Sequence, residues 1–336
     1  MQKLTRLDSG VFFESYSAVG GGLEGAGPLG EKFDLIDEHD LFGMKTFERA
    51  EGEMSRIALN LALNKKELSG KDLDLIVAGD LQNQCVASSG GLFSFSAPFI
   101  GLYGACSTCT EGLIVLSAML TTSKNYSRGA SVTSSHNSAA ERQFRMPLEY
   151  GGQRPPSAQW TATAAGAFVL SKAPSRVRIS AFMPGKAIDG YTKDATNMGA
   201  AMALAASDSI LSFFEQESPD GFDLIVTGDL GKVGSDILRD ILKEKSALGN
   251  RLSNMHRDCG LILFDTECDD VHSGGSGCGC SASVLASYFL PLLERGELSR
   301  ILFLSTGALM STSSVYQGEH ILGIAPAVVI ERSDIS

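Results

Sequence analysis

Two apolar segments of nearly identical sequence predict buried β-strands in separate parts of the chain. Residues 74–81 read DLIVAGDL and residues 223–230 read DLIVTGDL. Short runs rich in Val, Ile and Leu that end in a turn residue are typical of strands buried within a sheet. The segments before them, roughly 48–63 and 197–214, place apolar residues at helical spacing. The pattern therefore predicts two copies of a helix–strand unit.

The repeat continues into the segments that begin at two cysteines. Cys106 opens the helix-like run CSTCTEGLIVLSAML, and Cys278 opens CGCSASVLASYFLPLL. Each run leads to a Ser-Arg pair, and the offset stays at 172 (278 minus 106, and 299 minus 127). The earlier strands are offset by 149 (223 minus 74), which indicates a longer loop before the second cysteine. A further strand, at 166–172 and at 326–332, closes each copy.

This duplication predicts an α/β protein made of two similar halves. Strands that alternate with helices build a mostly parallel sheet covered by helices. Stacking the halves about a pseudo-two-fold axis would bring Cys106 and Cys278 together, each near a helix N-terminus. A break where a proline and a serine follow a completed strand divides the chain into 1–174 and 175–336. Two ordinary α/β domains that share common local patterns are the alternative.

Composition narrows the possible classes of function. The 336 residues carry a net charge of −11 with no cluster of Lys and Arg, so we expect no nucleic-acid interface. Seven cysteines in apolar settings indicate a reduced intracellular protein, and they lack the paired spacing of a zinc site. We therefore expect no metal and no cofactor. No apolar stretch reaches the ~20 residues of a membrane span, and the N-terminus does not resemble a signal peptide.

Cys106 is the strongest candidate for chemistry. It follows the small residues Gly104 and Ala105, which permit a tight turn and a close approach of substrate. A helix N-terminus favours a thiolate through its dipole and free N–H groups, and these groups can also hold an anion or an oxyanion. The alternative is a buried and inert cysteine, which is a common fate for this residue.

The chain resembles the thiolase and ketoacyl-synthase superfamily, and more narrowly the stage V sporulation protein AD family of spore-forming bacteria. Four segments carry the resemblance: GACSTCTEGL at 104–113, TSSHNSAAERQFRMPLEYGGQRPP at 133–156, HSGGSGCGCSA at 272–282 and LSTGALMS at 304–311. It extends over essentially the whole chain. It implies a thiolase-like fold, with the two halves in a layered α-β-α-β-α arrangement. It also implies a homodimer, because thiolase-fold proteins usually pair through their first halves.

The chain departs from the superfamily's enzymes at the partners of the cysteine. Gly228 stands where a ketoacyl-synthase III-type enzyme has its His, and Cys278 stands where that enzyme has its Asn. Ser305 replaces the second reactive Cys of a thiolase, whereas His272 partly matches a thiolase Gly-His-Pro turn. Claisen chemistry needs oxyanion support and proton transfer. We therefore expect a retained pocket in which Cys106 keeps the nucleophile position with lost or altered catalysis.

The family resemblance implies a non-catalytic protein that binds dipicolinic acid (pyridine-2,6-dicarboxylate). It would be a soluble component of the sporulation complex that moves dipicolinate into the spore, located in the forespore at the inner membrane and in contact with membrane subunits. The ligand is a rigid aromatic dianion, which helix N-termini and cationic or hydroxyl donors suit. The candidate ligand-binding residues are Cys106, His136, Arg154, Lys232, His272, Cys278 and Ser305.

Two other functions stay open at the level of sequence. One is an acyl-transfer or condensing enzyme with Cys106 as nucleophile and His136 or His272 as an unusual base. The other is a structural scaffold with a vestigial pocket, which predicts no ligand.

Several candidate residues also have ordinary structural explanations. A His after a strand, such as His136, is more often structural, and Lys232 in its Gly-rich loop is expected to be exposed. Arg154 has acidic residues nearby with which it could pair. Asp80 and Asp229 end the matched strands, and they are expected to cap helices or tie loops rather than bind an anion, which they would repel.

Overall fold

The computed structural model describes residues 2–144, 154–267 and 270–333. The strands are β1 (Thr5–Gly21), β2 (Leu35–Asp37), β3 (Leu75–Gly79), β4 (Phe99–Leu102), β5 (Arg128–Ser135), β6 (Trp160–Thr161), β7 (Ala164–Ser171), β8 (Val177–Met183), β9 (Ile188–Asp189), β10 (Leu224–Thr227), β11 (His256–Asp258), β12 (Gly275–Ser276), β13 (Arg300–Leu304), β14 (Gly307–Leu309), β15 (Leu322–Ile324) and β16 (Ala327–Arg332).

The helices alternate with these strands. They are α1 (Gly22–Ala26), α2 (Phe47–Asn64), α3 (Val86–Leu92), α4 (Thr108–Thr122), α5 (Asn137–Phe144), α6 (Met198–Phe214), α7 (Gly231–Lys245), α8 (Gly249–Met255), α9 (Cys259–Leu263), α10 (Cys278–Val284), α11 (Leu290–Arg295) and α12 (Thr312–Tyr316). The π-helical turn Leu285–Phe289 joins α10 to α11.

The two predicted long helices start at capping residues. Thr46 precedes α2 and its hydroxyl accepts a hydrogen bond from the Arg49 N–H at 3.3 Å. Asn197 precedes α6, and its side chain accepts one from the Ala200 N–H, also at 3.3 Å. Each cap satisfies one of the N–H groups that a helix start leaves unpaired. The helices therefore begin within one residue of the positions that the sequence pattern predicted.

The sheet shows the duplication that the sequence predicted. In the first half the strands run β4-β3-β5-β7-β1, and in the second half β11-β10-β13-β16-β8. In both halves the first two neighbour pairs are parallel and the next two are antiparallel. β1 and β8 pair with each other and join the halves, so every matched strand occupies the same place in its half.

The described core contains four apolar clusters, and the three large ones correspond to alternating layers. The small fourth cluster joins Leu81, Cys106, Ala140 and Cys278. α4 and α10 lie in the middle, and Leu113 and Leu285 pack with inward-facing residues of both halves of the sheet, such as Phe168 and Phe303. α2 covers the outer face of the first half. α6, α7 and α8 supply the cluster on the outer face of the second half. This is the layered thiolase-like arrangement expected from the sequence.

One stretch of helix, Ala105–Thr122, is long and apolar enough to cross a membrane on length and composition alone. It includes α4, and 61% of it is buried inside the protein. Such burial is typical of the core helix of a globular protein, and here it follows from the position of α4 between two layers of strands.

The middle layer depends on a close approach of α10 to the first half. A Cβ atom at Gly279 would overlap with the carbonyl oxygen of Ala164 and would lie 2.8 Å from the backbone nitrogen of Ser135. Backbone atoms cannot move aside as a flexible side chain can. Only glycine therefore permits this contact between the halves.

We expect Gly279→Ala to lower the free energy of unfolding by more than about 1 kcal/mol, because the steric overlap outweighs the gain in helix propensity. Gly90→Ala is the matched control, since Gly90 lies exposed in α3 and a Cβ atom added there would have no other atom within 4 Å. That change should be neutral or stabilising. Urea denaturation of both variants measures the difference, and equal effects would contradict the steric argument.

Candidate functional site

Cys106 lies at a strained turn that leads into α4. The turn Ala105–Ser107 is a single 3₁₀ turn, and Ala105 has a φ of +53°, which is uncommon for a residue other than glycine. Strain of this kind concentrates at functional sites. The side chain of Cys106 is 5% exposed, and its small exposed surface faces a cavity of about 220 Å³.

The cavity has a mainly apolar wall with a few polar groups. Its apolar lining residues are Leu81, Ala105, Ala140, Phe144, Met198, Ala308, Leu309 and Met310. Its polar lining residues, apart from Cys106, are Tyr103, Glu141, Thr161 and Ser276. Within the part of the chain that the structure describes, no lining residue is cationic. The cavity therefore offers hydroxyl groups, one thiol and one carboxyl group.

Asp229 lies directly behind this wall, beside the Cys106 thiol. Its carboxylate accepts hydrogen bonds from the Gly277 N–H at 2.9 Å and from the Thr306 hydroxyl at 2.7 Å. Ser276 adds a longer contact at 3.4 Å. Burial raises the pKa of Asp229 to about 7, although the hydrogen bonds from Thr306 and Cys106 oppose the shift. Asp229 therefore exists in both protonation states near neutral pH.

The same pair makes Cys106 a poor nucleophile at neutral pH. Burial raises the pKa of the Cys106 thiol well above its ordinary value, and the negative charge of Asp229 raises it further. The hydrogen bonds from Gly277 and Ser276 oppose this shift. The reactive species of a cysteine is the thiolate. The environment of Cys106 therefore favours the neutral thiol, despite its position before a helix.

Gly228, where the family resemblance predicts the His of the condensing enzymes, is closely packed. A Cβ atom there would lie 3.0 Å from the Cα of Ser305 and 3.1 Å from the Cβ of Ser281. A side chain at this position would therefore need these neighbours to shift by a few tenths of an ångström.

Cys278 and Ser305 lie in the interior near Cys106, but their side chains are hydrogen-bonded to other residues. Cys278 begins α10 and is fully buried, with its thiol donating to the Ser134 carbonyl at 3.0 Å. The Ser305 hydroxyl accepts a hydrogen bond at 2.8 Å from the hydroxyl of Thr110, which lies one helical turn after Cys106. Neither belongs to the cavity lining. The structure therefore brings the matched cysteines together, as the repeat predicted, but exposes only Cys106 to the cavity.

The four cationic candidates lie outside the cavity lining. His136 is fully buried, with Nε2 2.8 Å from the Asp40 carbonyl and its ring 5.2 Å from that of Phe47. Burial lowers the pKa of His136, so the ring is neutral near pH 7. His136 therefore has the structural role that the sequence analysis gave as the alternative to ligand binding.

Arg154 and His272 both contact Asp270 at the surface. The Arg154 guanidinium lies 3.3 Å from the Asp270 carboxylate and stacks over the Trp160 ring at 4.8 Å. His272 Nε2 lies 3.3 Å from the same carboxylate. Lys232 is exposed at the start of α7. None of these residues is brought next to Cys106.

The matched aspartates have different partners in the two halves. Asp80 is buried and accepts from the N–H groups of Gln82 and Ser88 and from the Ser88 hydroxyl, all on the loop and helix that follow it. Asp229 joins loops from separate parts of the chain. Both aspartates connect loops, as the sequence predicted, but the sequence analysis did not predict the contact of Asp229 with Cys106. The sequence feature that could have indicated this contact is the Gly-Asp-Leu at the end of each matched strand.

Comparison with known proteins decides the family. A model of the stage V sporulation protein AD family matches residues 2–331. The chain belongs to this family. The stage V sporulation protein AD of Bacillus subtilis (strain 168) is 42% identical over 325 residues, which cover 96% of this chain and 95% of that protein. The family-level resemblance seen in the sequence is therefore confirmed.

Solved structures support the thiolase-like fold of this sporulation protein. A 3-oxoacyl-[acyl-carrier-protein] synthase III from Aquifex aeolicus matches with a TM-score of 0.59 and 11% identity, over 95% of this chain and 99% of that one. A variant of OleA from Xanthomonas campestris matches with a TM-score of 0.60 and 13% identity, over 97% and 100%. At this identity the likeness shows the fold alone.

We expect iodoacetamide to alkylate Cys106 slowly at pH 8, with a rate that still rises above pH 9, because the thiolate is disfavoured. Asp229→Asn removes a negative charge beside the thiol and should increase the rate at pH 8 several-fold. Mass spectrometry of the digested protein measures the label. Fully buried Cys278 serves as the internal control and should stay unlabelled. A rate that levels off near pH 7 in the native protein would show an activated thiolate instead.

Proposed function

We propose that this sporulation protein binds dipicolinate in the Cys106 cavity and does not catalyse condensation. The observation that carries the proposal is the buried Cys106 thiol beside the Asp229 carboxylate, in a cavity where the closely packed Gly228 supplies no imidazole. Burial and a neighbouring carboxylate both favour the neutral thiol, which is a poor nucleophile toward a thioester. The site then acts as a binding pocket.

The lining of the cavity suits an aromatic acid. Tyr103, Phe144 and Met310 provide apolar and aromatic surface for a pyridine ring. The hydroxyl groups of Thr161 and Ser276 make only long contacts of 3.4 Å to internal carboxylates, so each would turn from this contact to donate to a carboxylate oxygen of the ligand. The described lining residues supply no cation, so we expect recognition by hydrogen bonds and stacking rather than by ion pairs.

The protein would pass its ligand to membrane subunits of a complex that moves dipicolinate into the spore. In this proposal it is a peripheral component at the inner membrane of the forespore. Membership of the sporulation family supports the setting. Spores that carry a cavity-blocked variant should then contain less dipicolinate than spores with the native protein.

Calorimetric titration tests the ligand and its place directly. We expect saturable binding of dipicolinate to the native protein, at least tenfold weaker binding by Ala140→Phe, and weaker binding by Cys106→Ala. Ala140 is a buried residue of the cavity wall, so the larger side chain fills the space. Arg154→Ala and Lys232→Ala are the controls and should bind as the native protein does, because both residues lie outside the lining.

Two results would count against this assignment. Loss of binding in Arg154→Ala, with Ala140→Phe unaffected, would place the ligand elsewhere. No binding by folded native protein, together with acyl-CoA labelling of Cys106, would support the acyl-transfer function. If the native protein neither bound dipicolinate nor was labelled by acyl-CoA, the structural scaffold would be the remaining function.

We also propose a homodimer that forms along β4. This strand lies at the edge of the sheet and pairs only with β3 among the described strands. Phe93 and Phe99 are exposed beside it, Phe93 by 78%. An open edge with exposed aromatic residues is a common site of strand-to-strand association.

Phe93→Asp should shift the protein from dimer to monomer in sedimentation velocity experiments, because a charge would be buried in the interface. Tyr316→Asp is the control, since Tyr316 is 82% exposed but lies on α12, far along the chain from the β4 edge. A native protein that sediments as a monomer at all concentrations would exclude the proposed dimer.

A further inference from the structure

Asp229 is a buried acid, and no residue in the described parts of the chain places a positive charge beside it. Its carboxylate is fully buried, and its partners are the Cys106 thiol, the Gly277 N–H and the hydroxyls of Thr306 and Ser276. All of these donors are neutral. A buried carboxylate normally needs a cation, a metal or a proton to offset the loss of hydration.

The elements packed around Asp229 do not supply that cation. The titratable groups that face it come from the Cys106 turn, from α10 and from the end of β11 with the start of α9. They are Cys106, Cys278, Cys280, Asp258 and Cys259. Each of these groups is either neutral or negative near pH 7. Lys232, which follows closely on the chain, is exposed.

A ligand in the cavity would sit one side chain away from this acid. Cys106 and Ser276 both line the cavity and both contact the Asp229 carboxylate. A dianion at the Cys106 thiol would therefore place two negative charges close to a third one in a poorly hydrated interior. Such repulsion is relieved when one of the groups takes up a proton.

We propose that the Cys106 cavity binds its dianionic ligand together with one proton from solvent, which resides on Asp229. This inference rests on the proposed function and makes Asp229 a positioning residue for recognition. Protonated Asp229 can donate its O–H to the Cys106 sulfur, which leaves the Cys106 S–H free to turn toward a ligand carboxylate. The proton balance is one taken from bulk water on binding and one returned on release.

The pH range in which ligand affinity should change follows from the pKa of Asp229 in the ligand-free protein. Asp229 has a pKa of about 7 without ligand, and the approaching anion raises this pKa further. Below pH 7 the acid already carries its proton in both states, so affinity should vary little with pH. Above pH 7 the proton must be acquired on binding, so affinity should fall as pH rises, by up to about tenfold per pH unit.

Titration of dipicolinate in two buffers with different ionisation enthalpies measures the protons taken up. Carboxyl groups ordinarily titrate near pH 4, so the free ligand stays a dianion from pH 6 to 9. We expect uptake to approach one proton per site above pH 8 and to fall well below one at pH 6, because the free acid titrates between these values and the ligand raises its pKa. The neutral diamide of the same ring is the control ligand and should bind without uptake.

Two variants locate the proton. Asp229→Asn should abolish the uptake and flatten the dependence of affinity on pH. Glu141→Gln removes the carboxyl group on the cavity wall itself, and proton uptake should persist in this variant even where its affinity for the ligand changes. Uptake that disappears in Glu141→Gln but persists in Asp229→Asn would overturn the assignment of the proton to Asp229.

The native protein tests the inference even if a variant fails to fold. Saturable binding with no proton uptake at pH 8 would refute the coupling while leaving dipicolinate binding intact. Absence of binding at every pH from 5 to 9 would instead refute the proposed function.

Discussion

The structure depends on hydrogen bonds that converge on one buried carboxylate between the two halves. Asp229 follows β10 and accepts from Gly277 before α10 and from Thr306 after β13. The Cys106 thiol of the first half lies beside it. Together with the hydrogen bonds of Gln159 to the Asp229 and Gly275 carbonyls, and of Thr110 to Ser305, the carboxylate holds the loops that build the cavity wall.

The duplicated halves use the same residue for different purposes. Asp80 and Asp229 end matched strands. The Asp80 carboxylate accepts hydrogen bonds from Gln82 and Ser88, which lie on the segment that follows it. Burial raises the pKa of the neighbouring Glu51, and the negative charge of Asp80 raises it further. Asp229 holds groups from both halves. The difference arises because the segment between β10 and α10 is longer than its counterpart in the first half and contains α7, α8, β11, α9 and β12. The end of this segment places the Gly277 N–H at the Asp229 carboxylate. The two acids at matched positions therefore have different partners because the segments that follow them differ in length.

The architecture could be predicted because it follows from local patterns. Apolar runs, helical spacing and a constant offset fix which segments are strands and helices, and repetition fixes their order in each half. The contacts of long polar side chains could not be predicted in this way. Arg154 turns to Asp270 and Trp160, and His136 turns to the Asp40 carbonyl. Asp270 and Asp40 are distant in sequence from the side chains that contact them, so residue type alone could not predict these contacts.

Only part of the cavity wall could be predicted from the sequence, because its residues come from segments that are far apart in the chain. Cys106 was identified because its turn has a recognisable sequence, whereas Tyr103, Glu141 and Thr161 come from three segments with no shared motif. Their meeting depends on how β4, α5 and β6 pack. The division of the chain at 174/175 stays a prediction, since the sheet runs continuously from β1 to β8.

The close packing at Gly228 has a consequence for any redesign of the cavity. An imidazole introduced by Gly228→His would meet the backbone of Ser305 and the side chain of Ser281. Because these neighbours belong to other segments of the chain, a new basic group at this position requires coordinated changes at two or more sites rather than one substitution.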